Sequence, residues 1–162
     1  MIASFDISTH RLDLVLIPLD PATTTIEWEV AERPRAETDA TAWSAEAARA
    51  LLLHARTRHT VAACVVEIPA GRVHPHLAWV YGATHGQCAR YAPTTGFRAA
   101  TWRKGLGTGQ SKADVALWID THWPDVELDE HGMDAFCLAL YYRQWVWSQC
   151  GSSFADPGTG RT

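Results

Sequence analysis

Apolar positions in the first third of the chain fall in short runs of strand length. Ile2 to Ser8 (IASFDIS) is β-prone, and after Thr9-His10 a second run continues from Arg11 to Pro18, so the two read as a hairpin. Thr24 to Val30 alternates polar and apolar positions with β-branched residues, as a half-exposed third strand does. Three antiparallel strands are therefore expected to open the fold. After a polar connection from Pro34 to Asp39, residues Ala42, Trp43, Ala47, Ala50, Leu51 and His54 recur at helical spacing. Thr60 to Ile68 is a continuous apolar, β-branched run with Glu67 near its C-terminal end, the pattern of a strand buried on both faces. A helix over Leu77 to Cys88, a short strand at Ala89 to Ala92 and a helical stretch opened by Pro93 and reaching Lys104 are expected next. Gly105 to Gly109 interrupts the pattern, Ser111 is placed to cap a helix carrying Val115, Leu117, Trp118 and Ile119, and an acidic loop leads to a last helix from Glu130 to Trp147. No repeat is visible, so one domain is expected over residues 1–150, with 151–162 as a disordered tail of Gly, Ser, Pro and Thr.

Composition supports a packed core. With 162 residues, 47% of them hydrophobic, and eight Trp, the chain has enough apolar surface to offset its conformational entropy, which excludes global disorder. Cys64, Cys88, Cys137 and Cys150 form no C-x-x-C pair, which reads as free thiols in a reducing compartment rather than as a zinc site or disulfide framework. No run approaches the roughly 18 to 20 apolar residues of a membrane span, and the N-terminus places Asp6 inside its first apolar run, where a signal peptide would have a basic start. A cytoplasmic protein with no membrane partner is expected.

The net charge of −4 argues mildly against nucleic-acid binding, but its distribution changes that picture. Arg90 to Lys112 holds five basic residues and no acid, whereas Asp125 to Asp134 holds five acids and no Lys or Arg. The alternative to a DNA-binding strip is two solvated faces of opposite sign.

Three acids stand where acids are costly: Asp6 in the first strand, Glu67 at the end of the buried strand, and Asp134 between Met133 and Ala135 on an apolar helix. Each alone is explained by partial exposure or a local hydrogen bond. Together they have a shared explanation, because clustered carboxylates repel unless divalent cations neutralise them, and hard oxygen donors suit Mg²⁺ or Mn²⁺. His131 lies three residues before Asp134, so both project from one helix face. Without those neighbours His131 would read as a surface residue near a helix start.

An Asp in the first strand of a three-stranded meander, a Glu ending the fourth strand and a His-x-x-Asp-Ala segment on a late helix resemble the ribonuclease-H-like nucleases of the RuvC type. Gly107-Thr108-Gly109 followed by Lys112 and Val115 resembles the Gly-x-Gly, basic, helix-start segment of those Holliday junction resolvases. His131-Gly132-Met133-Asp134-Ala135-Phe136-Cys137-Leu138-Ala139-Leu140 resembles their final helix. The resemblance covers roughly residues 1 to 145, with five short motifs in the right order. It implies an α/β, ribonuclease-H-like fold: a five-stranded mixed sheet, three antiparallel strands first, with helices on both faces.

Carried over residue by residue, the resemblance makes Asp6 the carboxylate shared by two Mg²⁺ or Mn²⁺ ions, Glu67 the strand-four ligand, and His131 and Asp134 the helix ligands. Where the family often has Asp, His131 would tilt the preference toward Mn²⁺. Lys112 would match the basic catalytic residue near the scissile phosphate. By charge and proximity alone, Arg98, Arg103, Lys104 and Lys112 would line the DNA. Family members place an aromatic soon after the strand-four Glu, where Ile68-Pro69-Ala70-Gly71 has none. Trp79 or Tyr81 could supply that stacking, although an aromatic on a helix is ordinarily a core residue.

The expected activity is metal-dependent, structure-specific endonucleolytic cleavage of branched DNA, a four-way junction and, by extension, flaps or forks. A homodimer follows from the two cuts a two-fold-symmetric junction needs. The alternatives are a junction-binding or recombination scaffold without effective turnover, and a ribonuclease acting on RNA/DNA hybrids.

Overall fold

The computed structural model describes residues 1–23, 25–69 and 75–151. The opening meander is β1 (Ile2–Ile7), β2 (Arg11–Ile17) and β3 (Glu27–Glu32), followed by α1 (Ala40–Arg58) and β4 (Ala63–Ile68). Next come α2 (Pro75–Cys88), β5 (Thr94–Arg98), α3 (Ala99–Leu106), α4 (Lys112–His122) and α5 (Glu130–Gly151). The sheet order is β3-β2-β1-β4-β5, antiparallel among the first three strands and parallel from β1 to β4 and from β4 to β5. The structure is thus the expected five-stranded mixed α/β sheet with helices on both faces.

Two expected elements are corrected. Ala89 to Ala92 is a turn after α2 rather than a strand, and the stretch after Pro93 begins as β5, not as a helix. Local signals favoured Pro93 as a first helical residue, but Thr94 to Arg98 pair in parallel with Cys64 to Ile68 and Cys64 donates its N–H to the Pro93 carbonyl at 2.9 Å. Sheet pairing outweighs a weak local preference here. β3 runs later than the pattern suggested, and Thr24 itself lies outside the described residues. The tail expectation for 152–162 likewise lies outside them, while α5 continues to Gly151.

Strand alternation sorts the core into two layers. Ala3, Phe5, Ile7, Leu12, Leu14, Leu16, Cys64 and Val66 pack beneath α1 and α2. Ile2, Val15, Ile17 and Val65 face α5, which crosses β2, β1 and β4, with Trp102 of α3 and Val115 and Ile119 of α4 beside it. Cys64, Cys88 and Cys137 are free and buried, and the side chain of Cys150 is outside those described. Among the described residues no helix is long and apolar enough to cross a membrane.

Candidate active site

The acids stand on the α5 face of the sheet, toward the carboxyl ends of the parallel strands. Asp6 is the penultimate residue of β1 and Glu67 that of β4, one step beyond the Phe5–Val66 pair that ends the β1–β4 ladder. In an open α/β sheet this end is where side chains escape the packed interior and ligands bind. His131 and Asp134 sit in the first turns of α5, and His131 Nδ1 meets Asp6 Oδ2 at 2.7 Å. That bond, more than the opposing burial, raises the His131 imidazole above its ordinary range.

Glu67 and Asp134 are held separately by two consecutive residues of α3. Trp102, fully buried, donates its indole N–H to Glu67 Oε2 at 2.9 Å. Arg103 reaches Asp134 Oδ1 at 3.3 Å through Nη2 and the Gln110 carbonyl at 2.7 Å through Nη1, with its guanidinium 4.9 Å from the Trp102 ring centre. Its buried Nε has no partner among the described residues. Burial, then the charges of Asp6 and Asp134, push the Glu67 carboxyl up to about 7 despite the indole bond. Asp134 is raised too, by burial and by Asp6, against the pull of Arg103 and Lys112.

Lys112 reaches this cleft through local geometry. Gly107 and Gly109 have φ of 72° and 90°, conformations that disfavour other residues. A Cβ on Gly109 would stand 2.6 Å from the Asp114 side chain, whose carboxylate accepts from the N–H groups of Gln110 and Ser111 while Ser111 caps α4. α4 therefore starts at Lys112, whose Nζ lies 3.1 Å from Glu130. The basic strip and the acidic segment of the sequence are thus partly each other's partners, through Arg103–Asp134 and Lys112–Glu130. Arg98, at the end of β5, and Lys104, on α3, are exposed.

Of the four expected ligands, the structure joins Asp6 to His131 directly and leaves Glu67 and Asp134 coupled to Asp6 by charge. The donor atoms of Asp6, Asp13 and His131 all lie within 4.8 Å of one another. Asp13 went unnoticed in the sequence, although a carboxylate within Leu12-Asp13-Leu14 signals a partner; it is 1% exposed and directly opposite Asp6. Trp102 carried no such signal, because a buried Trp in an apolar pattern looks like core. Clustered hard oxygen donors whose protonation is raised by burial and by mutual repulsion suit a divalent cation. Tyr81 is half-buried, as a helix aromatic is expected to be, but Trp79 is not core: it is 58% exposed and stacked edge-on to His76 at 5.2 Å.

No family model matches the sequence, and no curated protein matches it. Solved structures do. Thermus thermophilus RuvC superposes with a TM-score of 0.68 over 93% of this chain and 96% of its own at 16% identity. The fowlpox virus resolvase in complex with Holliday junction DNA gives 0.54 over 90% and 97% at 17% identity. The yeast mitochondrial Holliday junction resolvase gives 0.56 over 89% and 78% at 11% identity. The chain has the RuvC-type, ribonuclease-H-like fold.

Proposed function

We propose that this chain is a metal-dependent, structure-specific DNA endonuclease that cleaves branched DNA, a Holliday-junction-resolvase-like enzyme working by two-metal phosphodiester hydrolysis. The observation that carries the reading is the Asp6–His131 contact, with Glu67 and Asp134 coupled to Asp6 by charge, at the carboxyl end of a sheet whose fold is that of junction resolvases. Asp6, Glu67, His131 and Asp134 would hold Mg²⁺ or Mn²⁺, which when bound supplies Lewis acidity and an activated water. Lys112, at the mouth of the cleft, is available to leave Glu130 for the scissile phosphate and offset its charge. Arg103 pairs with Asp134, and with Arg98 and Lys104 it extends a basic strip suited to the phosphate backbone. Trp79, exposed on α2, is the candidate for stacking on an unpaired base at a branch point. Two cuts on a symmetric junction favour a homodimer, and the free, buried Cys64, Cys88 and Cys137 suit a reducing cytoplasm.

The test is cleavage of labelled four-way, flap, fork and RNA/DNA-hybrid substrates in Mg²⁺ or Mn²⁺. Paired cuts in four-way DNA, leaving 5′-phosphate and 3′-hydroxyl ends, are expected. Cutting confined to hybrids would replace this reading with a ribonuclease, and tight junction binding without cutting in either metal would replace it with a scaffold.

A further inference from the structure

Asp13 is a carboxylate buried in mid-strand, and its surroundings explain how the fold tolerates it. Arg11, two residues earlier on the same strand face, donates from Nε to Oδ2 at 2.8 Å and from Nη2 to Oδ1 at 2.6 Å, a two-pronged grip that guanidinium geometry allows and an ammonium group does not. Trp28 of β3 adds its indole N–H to Oδ1 at 3.0 Å. The grip does not end there. Arg11 Nη2 also donates to Asp129 Oδ2 at 2.5 Å, and Asp129 is the residue just before α5. The other oxygen of Asp129 accepts the N–H groups of His131 at 3.1 Å and Gly132 at 3.0 Å, capping the helix. Gly132 lets this turn lie against Trp28, since a Cβ there would stand 3.0 Å from the indole. A closed circuit therefore runs from β2 through Arg11 to the first turn of α5, and from that turn through His131 back to Asp6 on β1.

We infer that Arg11 is a positioning residue for His131. Its guanidinium joins Asp13 to Asp129, fixing the rotation and height of the first turn of α5 so that Nδ1 of His131 meets Asp6. By occupying both oxygens of Asp13 it also withholds that carboxylate from the neighbouring donors, although Asp13 stands within their reach. An imidazole at a helix start has rotational freedom that its own bond to Asp6 does not remove. The circuit removes it by fixing the backbone that carries the ring. Outer partners of this kind commonly govern the affinity and reactivity of the groups they orient.

The inference rests on the nuclease reading for its activity arm alone. Two variants test it: Asp129→Asn, which keeps an oxygen to cap α5 but loses the ion pair, and Arg11→Met with Asp13→Leu, which removes the pair together and leaves no orphaned buried charge. In metal-free protein, nitrogen-detected NMR of the His131 ring is expected to move in both variants toward the spectrum of Asp6→Asn, which lacks the carboxylate that His131 meets. Mn²⁺ binding by calorimetry should weaken by about 10-fold or more, and kcat should fall by a similar factor with KM for junction DNA within about two-fold. Folded variants with the wild-type ring spectrum and Mn²⁺ affinity, whatever their melting temperature, would overturn the role of Arg11. Wild-type protein that cuts no substrate would instead sink the nuclease reading, and the ring spectra and Mn²⁺ titration would still decide the role of Arg11.

Discussion

The two faces of the central sheet are built from alternate residues of the same strands and have opposite characters. Beneath α1 and α2, β1, β2 and β4 present only apolar side chains, from Ala3, Phe5 and Ile7 to Leu12, Leu14, Leu16, Cys64 and Val66. Beneath α5 the same strands are apolar at one end of the sheet, with Ile2, Ile17 and Val65, and ionic at the other, with Asp6, Asp13 and Glu67. One face is closed along its whole length, whereas the other is packed at one end and ionic at the other. The closed face can carry stability without compromise, and the open face retains charges that stability alone would remove. Phe5 and Asp6, adjacent in sequence and on opposite faces, mark the division.

Adjacent substitutions should separate the faces most sharply. Asp6→Asn is expected to reduce cleavage by about 1,000-fold or more while leaving junction binding in Ca²⁺ nearly intact, because the carboxylate and not the phosphate-binding groups is removed. Phe5→Ala should instead cost about 3–5 kcal/mol of stability by leaving a cavity in the closed layer, with activity per folded molecule little changed. Denaturant titration beside single-turnover cleavage reads both. Comparable stability losses in the two variants would erase the distinction.

The ionic end should also betray itself through pH. Glu67 has an ordinary value of 4.5 and is raised to about 7 in the fold, so between those values the folded state keeps a proton that the unfolded chain releases. Its contribution to stability is present in full below pH 4.5 and is lost as pH rises through about 7, a swing on the order of 3 kcal/mol in metal-free protein. His131, raised above 6.5 by Asp6, has the same sign at the upper end: its contribution is lost as pH rises past its folded value. Melting in chelator should therefore fall from about pH 5 to about pH 8. Glu67→Gln should flatten that slope and melt above wild type at the alkaline end, since the amide oxygen can still accept from Trp102. A slope unchanged by Glu67→Gln would show that the carboxylate is not under electrostatic stress.

The smallest effect concerns the rim. Arg98 and Lys104 are exposed and stand outside the Arg103–Asp134 and Lys112–Glu130 ion pairs, so they offer the cleaner test of a DNA path. Arg98→Ala with Lys104→Ala should weaken every branched substrate alike and reduce the salt dependence of binding by roughly 0.9 for each phosphate that these side chains neutralise in the wild type. Titrations in Ca²⁺ at several salt concentrations measure the slope. No change would place the DNA elsewhere without touching the ionic end of the sheet.

Much of this was legible along the chain because it depends on local pattern. Alternation fixed the meander and the buried fourth strand, Ser111 announced α4, and acids at Asp6, Glu67 and Asp134 were conspicuous because charge is costly among apolar neighbours. Where a signal was local but ambiguous the reading failed: Pro93 marked a helix start by itself, and only the parallel ladder to β4 made the following residues β5. Trp79 sits on a helix as a core aromatic would, and only packing left it in solvent.

The sequence by itself determined which chemical groups the protein possesses, in what order, and on which side of each strand they fall, because side-chain alternation is a property of the backbone. Tertiary structure alone decided which groups meet. Trp102 binds Glu67, Arg103 binds Asp134, Lys112 binds Glu130, and Arg11 ties Asp13 to the helix that carries His131, pairings that span up to 118 residues of chain. Distances of that kind are set by how α3, α4 and α5 settle on the sheet, and no periodicity in the chain encodes them.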